Sequence, residues 1–425
     1  MLMQKLVAIL VNSLVGVAML HAQTPARTEL SSLVNASLKY APKMDEALQA
    51  EKIAAEKMHL VELNKQPELN LDLSYAYVMP RIEWPINGQK IQFAPVNSLN
   101  GFVSTNYTLL DFGRQKSALD RARHELSTMQ HAKEATAWGV AYQVASIYYQ
   151  ILYLRQAIQI QDTLLHVLQE AQRVASVQFQ SGAALEIDVL SIGSSILTEE
   201  NRKTELIAQL KKQEVLMRYA TGQGVSNNAV MRWDNPLVTA GVDTINPALQ
   251  LQQDKWAQTK LEVAAAQLRT RPLVALRGTM GSRNGYLPVV NDLRFNYVAG
   301  VGVSVPLYSG GKYRQQVIVQ QQQAVQQELQ LNTMKKDLER DMLVASEELS
   351  AAKEKDARAP AQVALAFKVL GVAQSKFKSG TGLYLEVITA GSGLQKAYWN
   401  QLQSQYQVCM ASLELARLKG TRFWE

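Results

Sequence analysis

The chain has 425 residues, of which 47% are hydrophobic and 19% are charged, so its composition is that of a folded protein and not of a disordered one. The formal net charge of +7 comes from scattered basic residues, without the clusters or motifs of a nucleic-acid-binding protein, which argues against nucleic acid as a partner. The single cysteine, Cys409, excludes an intrachain disulfide.

The N-terminus has the pattern of a secretory signal peptide. Lys5 precedes an apolar run over residues 6–20, and Ala22 supplies a small residue for cleavage. We therefore predict that residues 1–22 form a signal peptide that is removed on export. An uncleaved anchor is the alternative, but the run is short for a membrane span.

The rest of the chain contains one unit twice. Residues 174–189 match residues 372–387, and residues 109–114 match residues 307–312, in both cases 198 residues later. The two matches are equally far apart in each copy, which chance does not readily produce. The chain is therefore predicted to be a tandem repeat.

The first repeat is predicted to cover residues 23–222 and to begin with a helix. A strand pair over 68–111, a long helix over 114–181 and a return helix over 184–219 follow. Residues 69–77 alternate apolar and polar side chains, as a strand with one apolar face does.

A linker over residues 223–246 is predicted to lead into the second repeat, over 247–425. This repeat has the same order: a helix, a strand pair over 273–308, a long helix over 312–379 and a return helix over 383–418. The fold class is thus mainly α, with four strands in each chain.

The long helices carry a coiled-coil seam. Val140, Val144, Ile147, Ile151 and Leu154 recur at intervals of four and three residues. At ~1.5 Å per residue, a helix of this length spans roughly 100 Å. Together with the predicted export and the lack of a long apolar run after residue 23, helices of this length favour a membrane barrel over an ordinary sheet for the strands.

The strands allow two interpretations. Their alternation fits a membrane strand with one face towards lipid, and it also fits an ordinary half-buried sheet. Four strands cannot close a barrel, so a barrel requires several chains: two would supply eight strands and three would supply twelve.

The order and spacing of these motifs resemble the TolC family of outer-membrane efflux proteins. The strand-to-helix junctions carry part of the resemblance, in residues 110–114 (Leu-Asp-Phe-Gly-Arg) and residues 305–312 (Val-Pro-Leu-Tyr-Ser-Gly-Gly-Lys). The helical turns carry the rest, in residues 179–182 (Phe-Gln-Ser-Gly) and residues 377–380 (Phe-Lys-Ser-Gly). The resemblance covers essentially the whole chain after the signal peptide.

The resemblance implies a homotrimer with a 12-stranded β-barrel in the outer membrane and an α-helical barrel that places most of the mass in the periplasm. It implies a passive duct, in contact with outer-membrane lipid, of a tripartite efflux or type I secretion system. The partners would be a periplasmic adaptor and an inner-membrane pump of RND or ABC type. The cargo cannot be read from the sequence.

The resemblance also assigns roles to residues just beyond the tip glycines. Asp188 and Glu386 match acidic residues that line the aperture, and Thr389 stands where the family often has a further acid. Gly382 stands where the family has an arginine that ties the gate. The alternative for Asp188 and Glu386 is that they only stabilise the N-termini of the return helices through the helix dipole.

The residues of the two turns are expected to shape the backbone reversal or to contact an adaptor. They are Phe179, Ser181, Gly182, Phe377, Lys378, Ser379, Gly380 and Gly382. A second set, at the strand-to-helix junctions, is Asp111, Gly113, Pro306, Gly310 and Gly311.

The alternative function is a periplasmic coiled-coil scaffold or adaptor without a membrane barrel, although an adaptor usually needs one helical hairpin and not two tandem units. An enzyme is disfavoured, because the sequence contains no catalytic or cofactor-binding motif with usable context. The five histidines, at positions 21, 59, 124, 131 and 166, have no metal-ligand spacing.

Overall fold

The computed structural model describes residues 25–86, 89–182, 184–225, 233 and 246–424. The predicted signal peptide and most of the predicted linker lie outside these residues. The chain divides into a helical unit (residues 1–48, 131–250 and 333–425) and a sheet unit (residues 49–130 and 251–332).

Seven helices occur in the described residues, and two of them have 67 residues each. In chain order they are α1 (Pro25–Tyr40), α2 (Pro42–Leu63), α3 (Arg114–Gln180), α4 (Glu186–Thr221), α5 (Pro247–Leu268), α6 (Lys312–Lys378) and α7 (Tyr384–Lys419). Proline occupies the first position of α1, α2 and α5, where its missing N–H costs nothing. Helix α1 was not predicted from the sequence.

The described strands form a four-stranded antiparallel sheet and a separate hairpin. They are β1 (Glu68–Tyr77), β2 (Glu83–Ile86), β3 (Gln89–Gln92), β4 (Asn97–Leu110), β5 (Leu273–Arg283) and β6 (Arg294–Ser304). The sheet order is β1-β4-β5-β6, and β2 pairs with β3. The central β4–β5 pair therefore joins the two repeats, since β4 belongs to the first and β5 to the second.

One face of the sheet is apolar and uncovered. The register places Leu71, Val103, Met280 and Tyr297 in one row across all four strands. The exposed fractions of these side chains are 67%, 38%, 53% and 74%. A row of this kind costs free energy in water, so this face is the most unusual surface of the sheet unit.

The opposite face is mainly polar. Asp72 pairs with Phe102 on β4 and accepts a hydrogen bond from the hydroxyl of Ser104 at 2.8 Å. The next row is polar on three consecutive strands, at Asn70, Ser104 and Thr279, and ends with Val298 on β6. The sheet therefore separates an apolar side from a hydrophilic side.

The second strand pair ends earlier than expected for a backbone reason. The second strand pair was expected to extend to residue 308, but β6 ends at Ser304. Pro306 has no N–H to donate to a neighbouring strand, which explains the early end. Strand β4 runs from Asn97 to Leu110, inside the predicted strand pair over 68–111.

The core of the helical unit follows the predicted seam of α3. The five seam residues from Val140 to Leu154 are all buried, with exposed fractions of 0–8%. Val144, Ile147 and Ile151 belong to a cluster that also includes Val34 of α1, Met217 of α4, Leu413 of α7 and Trp424. Helix α1 therefore contributes to a core that the sequence pattern assigned to the long helices alone.

Candidate functional site

Each long helix reverses into its return helix through a glycine in the left-handed region. Gly182 has φ = +77° and Gly380 has φ = +75°. Their N–H groups donate to the carbonyls of Phe179 at 3.0 Å and of Phe377 at 3.1 Å. Glycine occupies this conformation without the steric cost that a Cβ atom imposes, so both residues fix the geometry of the turn.

The two turns lie together although 198 residues separate them. The side chain of Gln178 donates to the carbonyl of Phe377 at 3.3 Å. Behind the turns, a buried cluster joins α3, α4, α6 and α7. Among its members are Leu168, Ala175, Ile192, Leu370, Phe377 and Val387. The structure therefore brings the predicted tip residues of both repeats to one end of the helical unit.

Asp188 lies at the start of α4 and caps it. Its carboxylate accepts a hydrogen bond from the backbone N–H of Leu185 at 3.2 Å. An acidic side chain in the first turn also interacts favourably with the helix dipole. The alternative role of Asp188, the stabilisation of its own helix, thus has a direct structural basis.

Glu386 and Thr389 have different surroundings. Both are exposed, and both line a groove of about 1050 Å³ between α6 and α7. The groove walls include exposed aliphatic side chains: Leu365, Val369, Val372, Leu383 and Leu385. Lys368, Lys376 and Lys396 also line it, so Glu386 is the one acidic residue beside three lysines in the lining.

Gly382 is needed for close packing and not for a positive φ. A Cβ atom built at this position would lie 2.8 Å from the Cβ atom of Lys376. The Gly382 N–H donates to the carbonyl of Lys376 at 3.0 Å. The backbone at this position therefore leaves no room for a longer side chain, which gives a physical reason for the departure from the arginine that the resemblance leads one to expect.

The turn residues differ in their accessibility. Phe179 is 44% exposed, whereas Phe377 is 6% exposed and packs in the buried cluster. Ser181, Lys378 and Ser379 are exposed. Of the two phenylalanines, only Phe179 presents a large accessible surface, so the ring of Phe377 serves packing.

The strand-to-helix junctions use backbone conformations that favour glycine. Gly113, Gly310 and Gly311 have φ = +96°, +61° and +79°. In the first repeat, Asp111 caps α3 by accepting hydrogen bonds from the N–H groups of Gly113, at 3.0 Å, and of Gln115. Pro306 lies between β6 and α6, where it ends the strand.

A buried polar layer in the helical unit was not predicted. Gln161 is 1% exposed, and its amide nitrogen donates to the carboxylate of Glu199 at 2.6 Å. Gln395 donates to the side-chain oxygen of Gln161 at 3.0 Å. The layer ties α3, α4 and α7 together, and no local motif marks it, because its three members come from distant parts of the chain.

The described residues contain neither a membrane-spanning helix nor a metal-binding cluster. None of their helices is both long and apolar enough to cross a lipid bilayer. In the same part of the chain, no group of three or more His, Cys, Asp or Glu side chains is arranged to hold a metal ion.

Comparison with known proteins confirms the resemblance inferred from the sequence. Residues 33–223 match the outer membrane efflux protein family, which covers most of the first repeat. No curated protein sequence matches the chain. The sequence match thus concerns one repeat, and the structural matches extend further.

Solved structures share the fold over nearly the whole chain. A membrane protein from Pseudomonas aeruginosa superposes with a TM-score of 0.78 at 15% identity, covering 92% of this chain and 90% of that one. The outer membrane protein VceC from Vibrio cholerae superposes with a TM-score of 0.74 at 17% identity, covering 93% of this chain and 97% of that one. The CmeC outer membrane channel of Campylobacter jejuni superposes with a TM-score of 0.75 at 14% identity, covering 92% of this chain and 85% of that one. At these identities the likeness establishes the fold.

Proposed function

We propose that this chain, which matches the outer membrane efflux protein family over residues 33–223 and has the fold of outer-membrane channels, is the outer-membrane duct of a tripartite efflux or type I secretion system. It would conduct its cargo passively from the periplasm to the outside. The apolar face of the four-stranded sheet is the observation that carries the proposal.

The apolar face supports a location in lipid. Its large side chains are exposed on all four strands, which is unfavourable in water and favourable against hydrocarbon. The opposite face is mainly polar, as the inner face of a water-filled barrel is. A periplasmic scaffold would have no use for an uncovered apolar face of this size, so this face favours the channel over the alternative function.

The edges of the sheet support an oligomer. Strands β1 and β6 are the outer strands of the sheet, and each has a neighbour on one side only. Open strand edges are prohibitive in hydrocarbon, because unpaired N–H and C=O groups lose water without gaining a partner. Pairing β6 of one chain with β1 of the next would remove both edges, and three chains would give a closed barrel of twelve strands.

The helical turns are proposed to form the periplasmic end of the duct. Asp188, Glu386 and Thr389 would line the aperture, and carboxylates from three chains would favour cations there. Phe179, Ser181, Lys378 and Ser379 are exposed at the turns and would be available to a periplasmic adaptor, which in turn would contact an inner-membrane pump.

The test uses a matched pair of variants on the two faces of β1. Leu71→Arg places a charge on the apolar face, whereas Asn70→Arg places the same charge at the adjacent position, on the polar face. A charged residue on a lipid-facing strand costs about 2–4 kcal/mol near the membrane centre. We expect the wild-type protein and Asn70→Arg to resist carbonate extraction of membranes, and Leu71→Arg to assemble poorly.

Electron microscopy of the detergent-extracted wild-type protein gives the second readout. Three-fold symmetry with a hollow barrel, together with ion conductance in planar bilayers, is the expected result. Release of the wild-type protein by carbonate, or equal tolerance of both arginines, would overturn the channel and favour the periplasmic scaffold.

A further inference from the structure

A basic cavity lies within the sheet unit, where the two long helices begin and α5 ends. Its volume is about 580 Å³. Strand β4 ends only a few residues before α3, and β5 begins only a few residues after α5, so the cavity lies near this end of the sheet. None of the residues assigned to the turns or the aperture takes part in it.

The cavity is strongly cationic. Four basic side chains line it: Arg114, Arg121, Arg269 and Lys312. Glu262 is the one acidic residue among the described lining residues. Its carboxylate pairs with Arg121 at 3.1 Å, which leaves the other three cations without an acidic partner in the lining.

The hydrogen bonds of these cations do not neutralise them. Arg114 donates to the backbone carbonyls of Leu268 at 3.2 Å and of Arg269 at 3.1 Å, and these carbonyls are neutral. Arg269 donates to the side-chain oxygen of Gln316 at 3.1 Å, which is also neutral. The two arginines are thus held in place with their charges uncompensated.

Arg121 contributes an unused donor. Its Nε atom is buried and has no hydrogen-bond partner among the described residues. A buried donor without a partner is rare in folded proteins and costs free energy until an acceptor reaches it.

The N-terminus of α6 adds to the positive potential, whereas the carboxylate of Asp111 already caps that of α3. Arg114 is the first residue of α3 and Lys312 is the first residue of α6. The N-terminus of a helix carries a partial positive charge and free N–H groups, which favour phosphate and other anions. The two residues occupy equivalent positions in the repeats, so the duplication places two helix N-termini and two cations at one cavity.

The walls of the cavity are partly apolar. Ala265, Ala266, Leu268 and Val319 line it beside the basic residues. An anion with an apolar portion fits such a site better than a fully hydrated one, because the apolar portion buries these walls.

We propose that this cavity binds a phosphate group, with the phosphodiester of an anionic phospholipid such as phosphatidylglycerol preferred over inorganic phosphate. The basic residues and the N-terminus of α6 would hold the phosphate oxygens, and the apolar walls would contact the glycerol and the start of the acyl chains. The phosphate site does not depend on the proposed channel function, whereas the lipid source fits a sheet that faces the membrane.

The test measures lipid retention by native mass spectrometry of the full-length, delipidated protein in detergent. Dioleoyl-phosphatidylglycerol is added to the wild-type protein and to the double variant Arg269→Gln/Lys312→Gln, with dioleoyl-phosphatidylcholine as the zwitterionic comparison. The control is Lys255→Gln/Lys336→Gln, which removes two charges from exposed helical positions outside the cavity. We expect at least a tenfold loss of phosphatidylglycerol retention in the cavity variant and none in the control.

Equal retention by the wild-type protein and the cavity variant, or an equal loss in the control, would overturn the proposal. Titration with inorganic phosphate distinguishes a lipid ligand from free phosphate. If low millimolar phosphate displaces the lipid from the wild-type protein and this effect is lost in the cavity variant, the phosphate site is supported, but its ligand is the free anion and not the lipid. Lys312→Gln alone carries the test if the double variant does not fold, because Lys312 is exposed. Carbonate resistance of the same variants separates loss of lipid binding from loss of membrane assembly.

Discussion

The carboxylate of Asp188 accepts a hydrogen bond from the backbone N–H of Leu185 across 3.2 Å, and so closes the first turn of α4. Glu386 occupies the matching position of the second repeat but lines the groove between α6 and α7. Two acidic residues that are equivalent in sequence therefore have different surroundings, and substitution should separate their roles.

We expect Asp188→Ala to lower the free energy of unfolding by roughly 0.5–1 kcal/mol, because the substitution removes a capping hydrogen bond. Glu386→Ala, at an exposed position, should change it by less than about 0.5 kcal/mol. Chemical denaturation of both variants measures the difference. In planar bilayers, Glu386→Gln should lower the preference for cations if the proposed aperture is correct. Equal stability losses would contradict the assignment of the cap to Asp188 alone.

The turn glycines should be intolerant of alanine, and a helical glycine nearby should not be. Gly380→Ala forces a Cβ atom into the left-handed region and should cost about 1–2 kcal/mol. Gly371 lies inside α6 with no atom within 4 Å of an added Cβ, so Gly371→Ala should stabilise the helix by about 1 kcal/mol. Thermal unfolding of the two single variants provides the comparison, and the two effects should have opposite signs.

The buried polar layer should be sensitive to loss of its central amide. Gln161→Ala leaves the carboxylate of Glu199 and the amide of Gln395 without their shared partner, and should cost about 2–3 kcal/mol. Gln169 lies on the same helix and is exposed, so Gln169→Ala should have little effect. Urea unfolding distinguishes the two. A small effect of Gln161→Ala would mean that water replaces its hydrogen bonds.

The aromatic residues after α7 should be essential to the helical core. Trp424 is 5% exposed, and its ring lies 4.8 Å from the ring of Trp138, centroid to centroid. Trp424→Ala should cost about 3–5 kcal/mol, because it leaves a large cavity. Trp84→Ala is the matched control, since Trp84 is 67% exposed on the β2–β3 hairpin. Thermal unfolding followed by circular dichroism should show a large shift only for Trp424→Ala.

The free energy of unfolding should fall at both low and high pH because of one cluster of side chains, formed by Tyr142, Glu414 and Arg417. The hydrogen bond from Arg417 lowers the pKa of Glu414 below 4.5. The ionised carboxylate of Glu414 therefore contributes to stability above that pH, and this contribution is lost as the pH falls. Burial, together with Glu414, raises the pKa of Tyr142 from 10.0 to about 12, so its contribution is present below pH 10 and is lost as the pH rises towards 12.

Unfolding free energies measured across these two pH ranges test the cluster. Glu414→Gln should flatten the acid limb of the stability profile, and Tyr142→Phe should flatten the alkaline limb. Variants that leave both limbs unchanged would assign the pH dependence to other groups.

The long helices could be predicted from the sequence because local features of the chain determine them. The region from residue 114 to residue 180 contains no proline, and its apolar seam repeats at helical spacing, so a helix over 114–181 was expected and α3 runs Arg114–Gln180. The turn glycines followed from equal spacing in the two repeats. The sequence analysis did not predict helix α1 or the β2–β3 hairpin. Helix α1 is short, and its Leu33 and Val34 lie in a buried cluster with residues of distant helices.

The sequence by itself determined the tandem repeat, the elements of each copy and the two faces of the strands, since periodicity and turn residues act over short stretches of chain. Only the tertiary structure decided that β4 pairs with β5 across the repeats, that Asp188 and Glu386 differ in their surroundings, and that Arg114 and Lys312 meet at one cavity. Each of these depends on which distant segments pack together, and that is set by the summed burial and hydrogen bonding of the whole unit and not by any local pattern.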